Sequence, residues 1–461
     1  MTRSLALALA LALFGCTPTA TDADAAITSD APTRDARPDA GSAGWTFDVL
    51  SDQMVVEMTT SERVELVRAN CPDGGRSYIL YVHALVPNAP LVVSNQPYAG
   101  IDWTGEAIDA RWAAGGDGLR PDVDAPAYDG DDVTNYAATT IQAAVDNCVV
   151  WSVNGMACMQ AFARFYAGGT VVDDALDSEA PYQLALSRST EIDLSRIGAW
   201  GGSWGGMMTL QGAARAPSGA RPRVVVALSP PSDFVDLAAW TDHDLPAVYP
   251  RPADVEAFFS PYWRRIAPDL GRMPTVASAS PFYRPEGLCP MLAQDTWVLH
   301  DDWDTLIPVR QSEALAAACP AHVRPIFWRR QTPTDFSVIG LDHGAFGREE
   351  VVPSSLSFTM AAIVGTLTPP TATSWIGVVH IPTLEVFLTT VHDEQRAGGD
   401  TTFAIAPLLA LADSRARLLD PGDGSITPAG DAVATAVNGV WGTTFDAAGV
   451  RAQLATGLPP P

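Results

Sequence analysis

Arg196-Ile197-Gly198-Ala199-Trp200-Gly201-Gly202-Ser203-Trp204-Gly205-Gly206 is the stretch on which the reading of this 461-residue chain turns. Arg196 to Trp200 has the length and apolar character of a short buried strand, and Met207 to Ala214 reads as a helix. Between them lies G-x-S-x-G, with Ser203 at a strained strand-to-helix turn. Glycines two positions to either side are needed because a side chain would clash there, and the turn pushes the hydroxyl out above the sheet. The helix start also offers the amide of Trp204 to a developing oxyanion. A glycine-rich turn without chemistry is the alternative, and the strand in front and helix behind weigh against it.

Outward from this turn, Tyr78 to Leu85, Leu91 to Ser94, Arg223 to Leu228, Thr296 to His300 and Pro325 to Trp328 read as short strands. Met156 to Ala167 and Asp173 to Ser187 read as helices. Strands alternating with helices imply an α/β chain with a mostly parallel sheet covered on both faces, and the serine turn within it resembles that of the α/β-hydrolase fold, which is the fold expected here. The body is expected over 45–366, with an insertion near 233–279 and a C-terminal extension, 367–461, whose fold the sequence leaves open. Ile101 to Asn135, rich in Gly, Asp and Pro, reads as a surface excursion. In the extension, Thr383 to His392 and Thr402 to Arg417 read as helical or mixed, and Asp420 to Thr427 as a turn, since its acidic residues miss the alternation of a calcium loop.

A nucleophilic serine needs a base, and the base an orienting carboxylate, in the chain order Ser, acid, His for this fold. Of the downstream histidines, His343 in Gly340-Leu341-Asp342-His343-Gly344 is best placed, in a loop after the last core strand. The acid belongs after the preceding strand, where Asp301, Asp302 and Asp304 compete.

Asp193-Leu194-Ser195-Arg196-Ile197-Gly198, Gly202-Ser203-Trp204-Gly205-Gly206, Ser280-Pro281, and His300 followed by Asp304, Ile307-Pro308 and Gln311-Ser312 together resemble the prolyl oligopeptidase-type catalytic domain. The resemblance runs from about Leu91 to Phe346 and selects Asp304 as the acid, which leaves Asp301 and Asp302 as surface or loop-capping residues. The chain departs from that pattern at Asp301, where the family has glycine, and at Trp204, where tyrosine is common; no β-propeller precedes the domain. Asn95-Gln96-Pro97-Tyr98 is similar to the N-x-P-Y text of cocaine-esterase and X-Pro dipeptidyl-peptidase relatives, which implies that the Tyr98 hydroxyl is a second oxyanion donor. Trp240, Tyr249, Phe258, Phe259, Tyr262 and Trp263 crowd the insertion, which is expected to form a lid with apolar walls.

The N-terminus reads as a processing signal. Arg3 precedes an apolar run, Leu5 to Phe14, too short to span a bilayer as a helix, and residues 1–15 are expected to be a signal peptide. Leu13-Phe14-Gly15-Cys16 resembles the lipobox of bacterial lipoproteins, which implies lipidation of Cys16 and anchoring of the exported chain to a membrane. Residues 16–44, rich in Thr, Ala, Asp and Pro, cannot bury enough surface to fold and read as a tether. An oxidising compartment makes Cys148 with Cys158, and Cys289 with Cys319, candidate disulfides and leaves Cys71 odd.

Composition narrows the chemistry further. All 28 basic residues are arginine, so a Walker A loop, a Schiff-base enzyme and a Ser-Lys hydrolase are excluded. A net charge of -25 argues against a nucleic-acid partner. The expectation is a tethered serine hydrolase acting on a small ester or short peptide, with Ser203, Asp304 and His343 as triad and without metal or organic cofactor. The rival is a catalytically inactive surface binding protein that kept the fold.

Overall fold

The computed structural model describes residues 44–57, 60–95, 155–162, 170–244, 269–278, 280–292, 295–301, 304–328, 375–377, 381–399, 401–413, 416–419 and 426–461, with short helical runs inside 144–152 and 359–367. Nine strands form one sheet: β1 (Thr46–Glu57), β2 (Thr60–Asn70), β3 (Arg76–Val82), β4 (Ala89–Asn95), β5 (Ala157–Phe162), β6 (Ile192–Gly202), β7 (Val224–Leu228), β8 (Asp295–Asp301) and β9 (Val323–Trp328). Their order is β1-β2-β3-β5-β4-β6-β7-β8-β9. The pairs β1/β2, β2/β3 and β3/β5 are antiparallel, and every pair from β5 to β9 is parallel. The central strands read as continuous apolar runs because both of their faces are covered; every residue of β4 and of β7 is buried.

Alternate residues feed two layers. Val92, Trp200, Val224, Val226, Leu228, Trp297 and Leu299 point into one cluster, shared with Val145, Trp151, Ile363 and Leu367. On the other face, Leu91, Val93, Ile197 and Ala199 meet α2 (Ala180–Ser187), which follows α1 (Val171–Asp177). Also on that face, Val225, Ala227 and Val298 meet Leu210, Ala213 and Ala214 of α3 (Trp204–Arg215). Each fully buried Val or Leu contributes roughly 1.5–3 kcal/mol, so the two layers hold the sheet between them. A mostly parallel sheet in this order, helices on both faces and a serine turn between β6 and α3 make up the α/β-hydrolase fold.

Four local readings change. Met156 to Ala167, expected to be helical, contains β5: Ala157 to Phe162 is buried at every residue and fills the slot between β3 and β4, so ladder pairing on both sides overrides the helix propensity of Ala, Met and Gln. Asp173 to Ser187 is two helices, broken where the Ser178 hydroxyl donates to Ala175 O at 2.7 Å and Pro181 opens the second. Strands β1 and β2 are not among the expected strands, because acidic and basic residues interrupt their apolar runs. Their polar sides pair across the hairpin, Arg63 to Asp52 at 2.8 Å and Arg68 to Asp48 at 3.2 Å. Asp301, expected as a surface or loop-capping residue, is buried at the end of β8.

Beyond 367 the chain forms β10 (Trp375–Gly377), α6 (Ile381–Arg396), α7 (Ile405–Asp413), β11 (Ala416–Leu419), β12 (Ile426–Pro428), α8 (Ala429–Trp441) and α9 (Ala447–Leu454). Leu388, Leu411, Val433, Val437 and Leu454 belong to the same buried cluster as Val226 and Leu299, so this segment packs as a continuation of one sheet layer. Among the described residues no helix is long and apolar enough to cross a membrane. Cys148 is bonded to Cys158 and Cys289 to Cys319, each pair with Cα atoms 5.3 Å apart. Cys71 is buried, its thiol directed toward Ala69 O.

Candidate active site

The strand order reverses at β4, whose two neighbours are β5 and β6, and the crevice outside the carboxyl ends of β4 and β6 is where an open α/β sheet receives a ligand. Ser203 stands at that point. It follows the last residue of β6 and caps α3, with φ 55° and ψ -125°, a conformation a non-glycine residue adopts only at a cost of about 1–3 kcal/mol. Its N–H donates to Leu228 O of β7 at 2.7 Å and its carbonyl accepts from Met207 N at 3.1 Å. The residue is buried, 6% exposed.

The glycine at 201 is required by close approach. A Cβ there would collide with the carbonyl oxygens of Asn95 and Gly205 and come within 2.6 Å of the Thr209 hydroxyl. Asn95, aligned with Gly201 across β4 and β6, donates from Nδ2 to Thr209 Oγ1 at 3.1 Å. This explains the asparagine of the N-x-P-Y text: it ties the start of that loop to the helix behind Ser203. Tyr98 itself lies outside the described residues, as do Cys16, Asp302 and His343.

Two strands further along, β8 delivers a second polar constellation. His300 is fully buried, with its Nε2 donating to Ile307 O at 2.7 Å and its Nδ1 hydrogen-bonded to the Ser312 hydroxyl at 2.7 Å. Asp304 is buried, and its Oδ1 accepts N–H bonds from Leu306 at 3.1 Å and Ile307 at 2.9 Å. Gln311, the other half of the Gln-Ser text, accepts from Ser232 N and Asp233 N at 3.0 and 2.8 Å and ties the loop after β7 to α5 (Arg310–Ala318). The His300, Ile307-Pro308 and Gln311-Ser312 text is therefore a brace around the Asp304 loop, built from groups that satisfy one another inside the protein.

The insertion begins with α4 (Phe234–Ala239) and a π turn, Trp240–Asp244. Trp240 Nε1 donates to Thr305 O at 3.0 Å, beside Asp304, while the Arg310 guanidinium stacks on its ring at 4.6 Å. Tyr249, Phe258, Phe259, Tyr262 and Trp263 lie outside the described residues. Among those described, no group of three or more His, Cys, Asp or Glu side chains is arranged to hold a metal ion.

No protein-family model and no curated protein matches the sequence. Similar solved structures include an acetyl xylan esterase from Paenibacillus sp. R4 (TM-score 0.39, 16% identity, 62% of this chain and 84% of that one). They also include acetyl xylan esterase 1 from Thermoanaerobacterium sp. JW/SL YS485 (TM-score 0.39, 14% identity, 62% and 84%). A third is a puromycin-hydrolyzing peptidase of Mycobacterium tuberculosis (TM-score 0.41, 18% identity), which matches 66% of this chain and 39% of its own length.

Proposed function

We propose that the chain is a serine hydrolase that cleaves a small ester or a short peptide through an acyl-enzyme. The observation that carries this reading is the backbone of Ser203: a left-handed residue at the junction of β6 and α3, at the switch point of the sheet, which only a constrained turn would maintain. In the reaction His343 takes the proton of the Ser203 hydroxyl as Oγ attacks the carbonyl carbon. The tetrahedral oxyanion is received by the Trp204 N–H and the Tyr98 hydroxyl. His343 then protonates the leaving alcohol or amine, and a water molecule repeats the sequence to release the acid. Asp304, with one carboxylate oxygen fixed by two main-chain N–H groups, orients the imidazole and stabilises its charged form.

The place of action that fits this reading is the periplasmic or cell-surface face of a bacterial membrane, the body held by a lipid on Cys16 through the tether 16–44. Two disulfides suit such an oxidising compartment. The test is turnover of p-nitrophenyl esters set against aminoacyl and Pro-linked nitroanilides by wild type and Ser203→Ala. Turnover lost in the variant supports the hydrolase, and the better substrate class settles ester against peptide. A folded wild type inert to both classes supports the binding-protein rival.

A further inference from the structure

The Trp204 side chain is used by nothing in that mechanism, although its main chain is the oxyanion donor. It is buried, and its indole Nε1 donates at 2.6 Å to Oδ2 of Asp174, a fully buried residue on α1. A carboxyl group taken out of water stays there only where its hydrogen bonds are met, and an indole N–H in such a place needs an acceptor just as much. The ring is also held edge-to-face against Phe234, centroids 6.5 Å apart, and Phe234 is held likewise against Tyr283 at 5.6 Å.

The helix that supplies Asp174 is itself fixed at three points. Its N-terminus is closed by a reciprocal capping box, Asp173 N to Thr170 Oγ1 at 3.3 Å and Thr170 N to Asp173 Oδ2 at 2.8 Å. Its first amide, Val171 N, donates to Asp269 Oδ2 at 2.6 Å, at the start of the helical run 269–278 in the insertion. Its C-terminal end lies against α3, where a Cβ on Gly212 would meet Ser178 O at 2.5 Å. Helices α1 and α3 therefore meet at two places, Asp174 with Trp204 and Ser178 with Gly212.

We infer that Asp174 is a positioning residue: by holding the Trp204 indole it fixes the orientation of the Ser203–Trp204 peptide, whose N–H receives the oxyanion. The inference rests on the serine-hydrolase reading and adds a residue on another helix to it. A rotated peptide weakens a bond made to charge that exists only in the transition state, so Asp174 acts on the chemical step and leaves binding alone.

The test uses a fluorophosphonate, whose attack by Ser203 also places charge on an oxygen at this peptide, and separates the maximal inactivation rate from the half-saturating concentration. Asp174→Ala is expected to slow the maximal rate by about 10²-fold with the half-saturating concentration unchanged. Trp204→Phe, which keeps the main-chain N–H, is expected to do the same. The double variant is expected to lose no more than either single one, and Asp174→Asn, which keeps an acceptor oxygen, to label close to the wild-type rate. Near-UV circular dichroism reports folding of each. Should Asp174→Ala not fold, Asp174→Leu with Trp204→Phe, where both polar groups give way to apolar ones, supplies the same readout. Folded variants that label as fast as wild type, or losses that multiply in the double variant, overturn the role of Asp174 alone. A folded wild type that takes no label overturns the hydrolase reading and this inference with it.

Discussion

His300 Nε2 and Asp304 Oδ2 lie 3.5 Å apart with both side chains sealed from solvent. The imidazole thus does two things at once: it holds the Asp304 loop through the Ile307 carbonyl and lies along the carboxylate that the loop carries. A buried histidine thus sets the position of the Asp304 carboxylate.

His300→Ala leaves the Ile307 carbonyl and the Ser312 hydroxyl without their partner. Thermal or urea unfolding is expected to show a loss of about 2–4 kcal/mol, two unsatisfied groups and a cavity together. Turnover should fall as the Asp304 loop loosens. A variant as stable and as active as wild type would show that the brace is ornamental.

Asp304→Asn is expected to keep the fold and lose roughly 10⁴ in kcat, through the wrong tautomer of the base. Asp301→Asn, at a buried residue at the end of β8, should show its effect in the unfolding midpoint and little in kcat. If Asp301→Asn cripples turnover and Asp304→Asn does not, the acid is misassigned.

Glu65 on β2 is buried against Arg63 at 2.8 Å, Arg188 at 2.9 Å and His83 at 3.1 Å, with Glu191 on the far side of the imidazole and Asp52 beyond Arg63. Burial pushes its carboxyl up, but the His83 hydrogen bond and the charges of Arg188 and Arg63 outweigh that and hold it below the ordinary glutamate range. The unfolded chain therefore binds this proton more readily. The resulting stability is complete above about pH 4.3 and is lost as pH falls through the lower value in the folded protein. Glu65→Gln should flatten the acid limb of a plot of unfolding midpoint against pH. Parallel curves for variant and wild type would show that Glu65 contributes nothing to the acid limb.

Gly201→Ala is expected to prevent the close approach of β6, β4 and α3, since the added methyl meets two backbone carbonyls that have no room to move. The cost should reach about 3 kcal/mol or more, visible in urea unfolding, with loss of activity in any folded fraction. A stable, active Gly201→Ala enzyme would contradict the turn geometry.

What the sequence disclosed and what it hid divide along physical lines. The central strands were legible because burial on both faces leaves runs such as Val224-Val225-Val226-Ala227-Leu228 with no polar interruption. The turn at Ser203 was legible because its backbone demands glycine at 201. Strand β5 was misread because pairing partners far along the chain, on β3 and β4, decide its conformation, and no window around Cys158 contains them. The Gln311-Ser312 text was visible only as a resemblance; the structure shows Ser312 meeting His300 and Gln311 meeting Ser232 and Asp233. Asp174 gave no signal at all, since an aspartate in the short run Val171 to Asp177 looks like any solvated helix face until Trp204, 30 residues on, is folded against it.

Whether Ser203 is a nucleophile is read out by intact-protein and peptide mass spectrometry after exposure to a fluorophosphonate. One phosphonyl adduct per chain is expected, on the peptide that contains Ser203, absent in Ser203→Ala and slow to form in His343→Ala. A folded wild-type protein that remains unmodified, or one whose adduct maps to another residue and persists in Ser203→Ala, would contradict it.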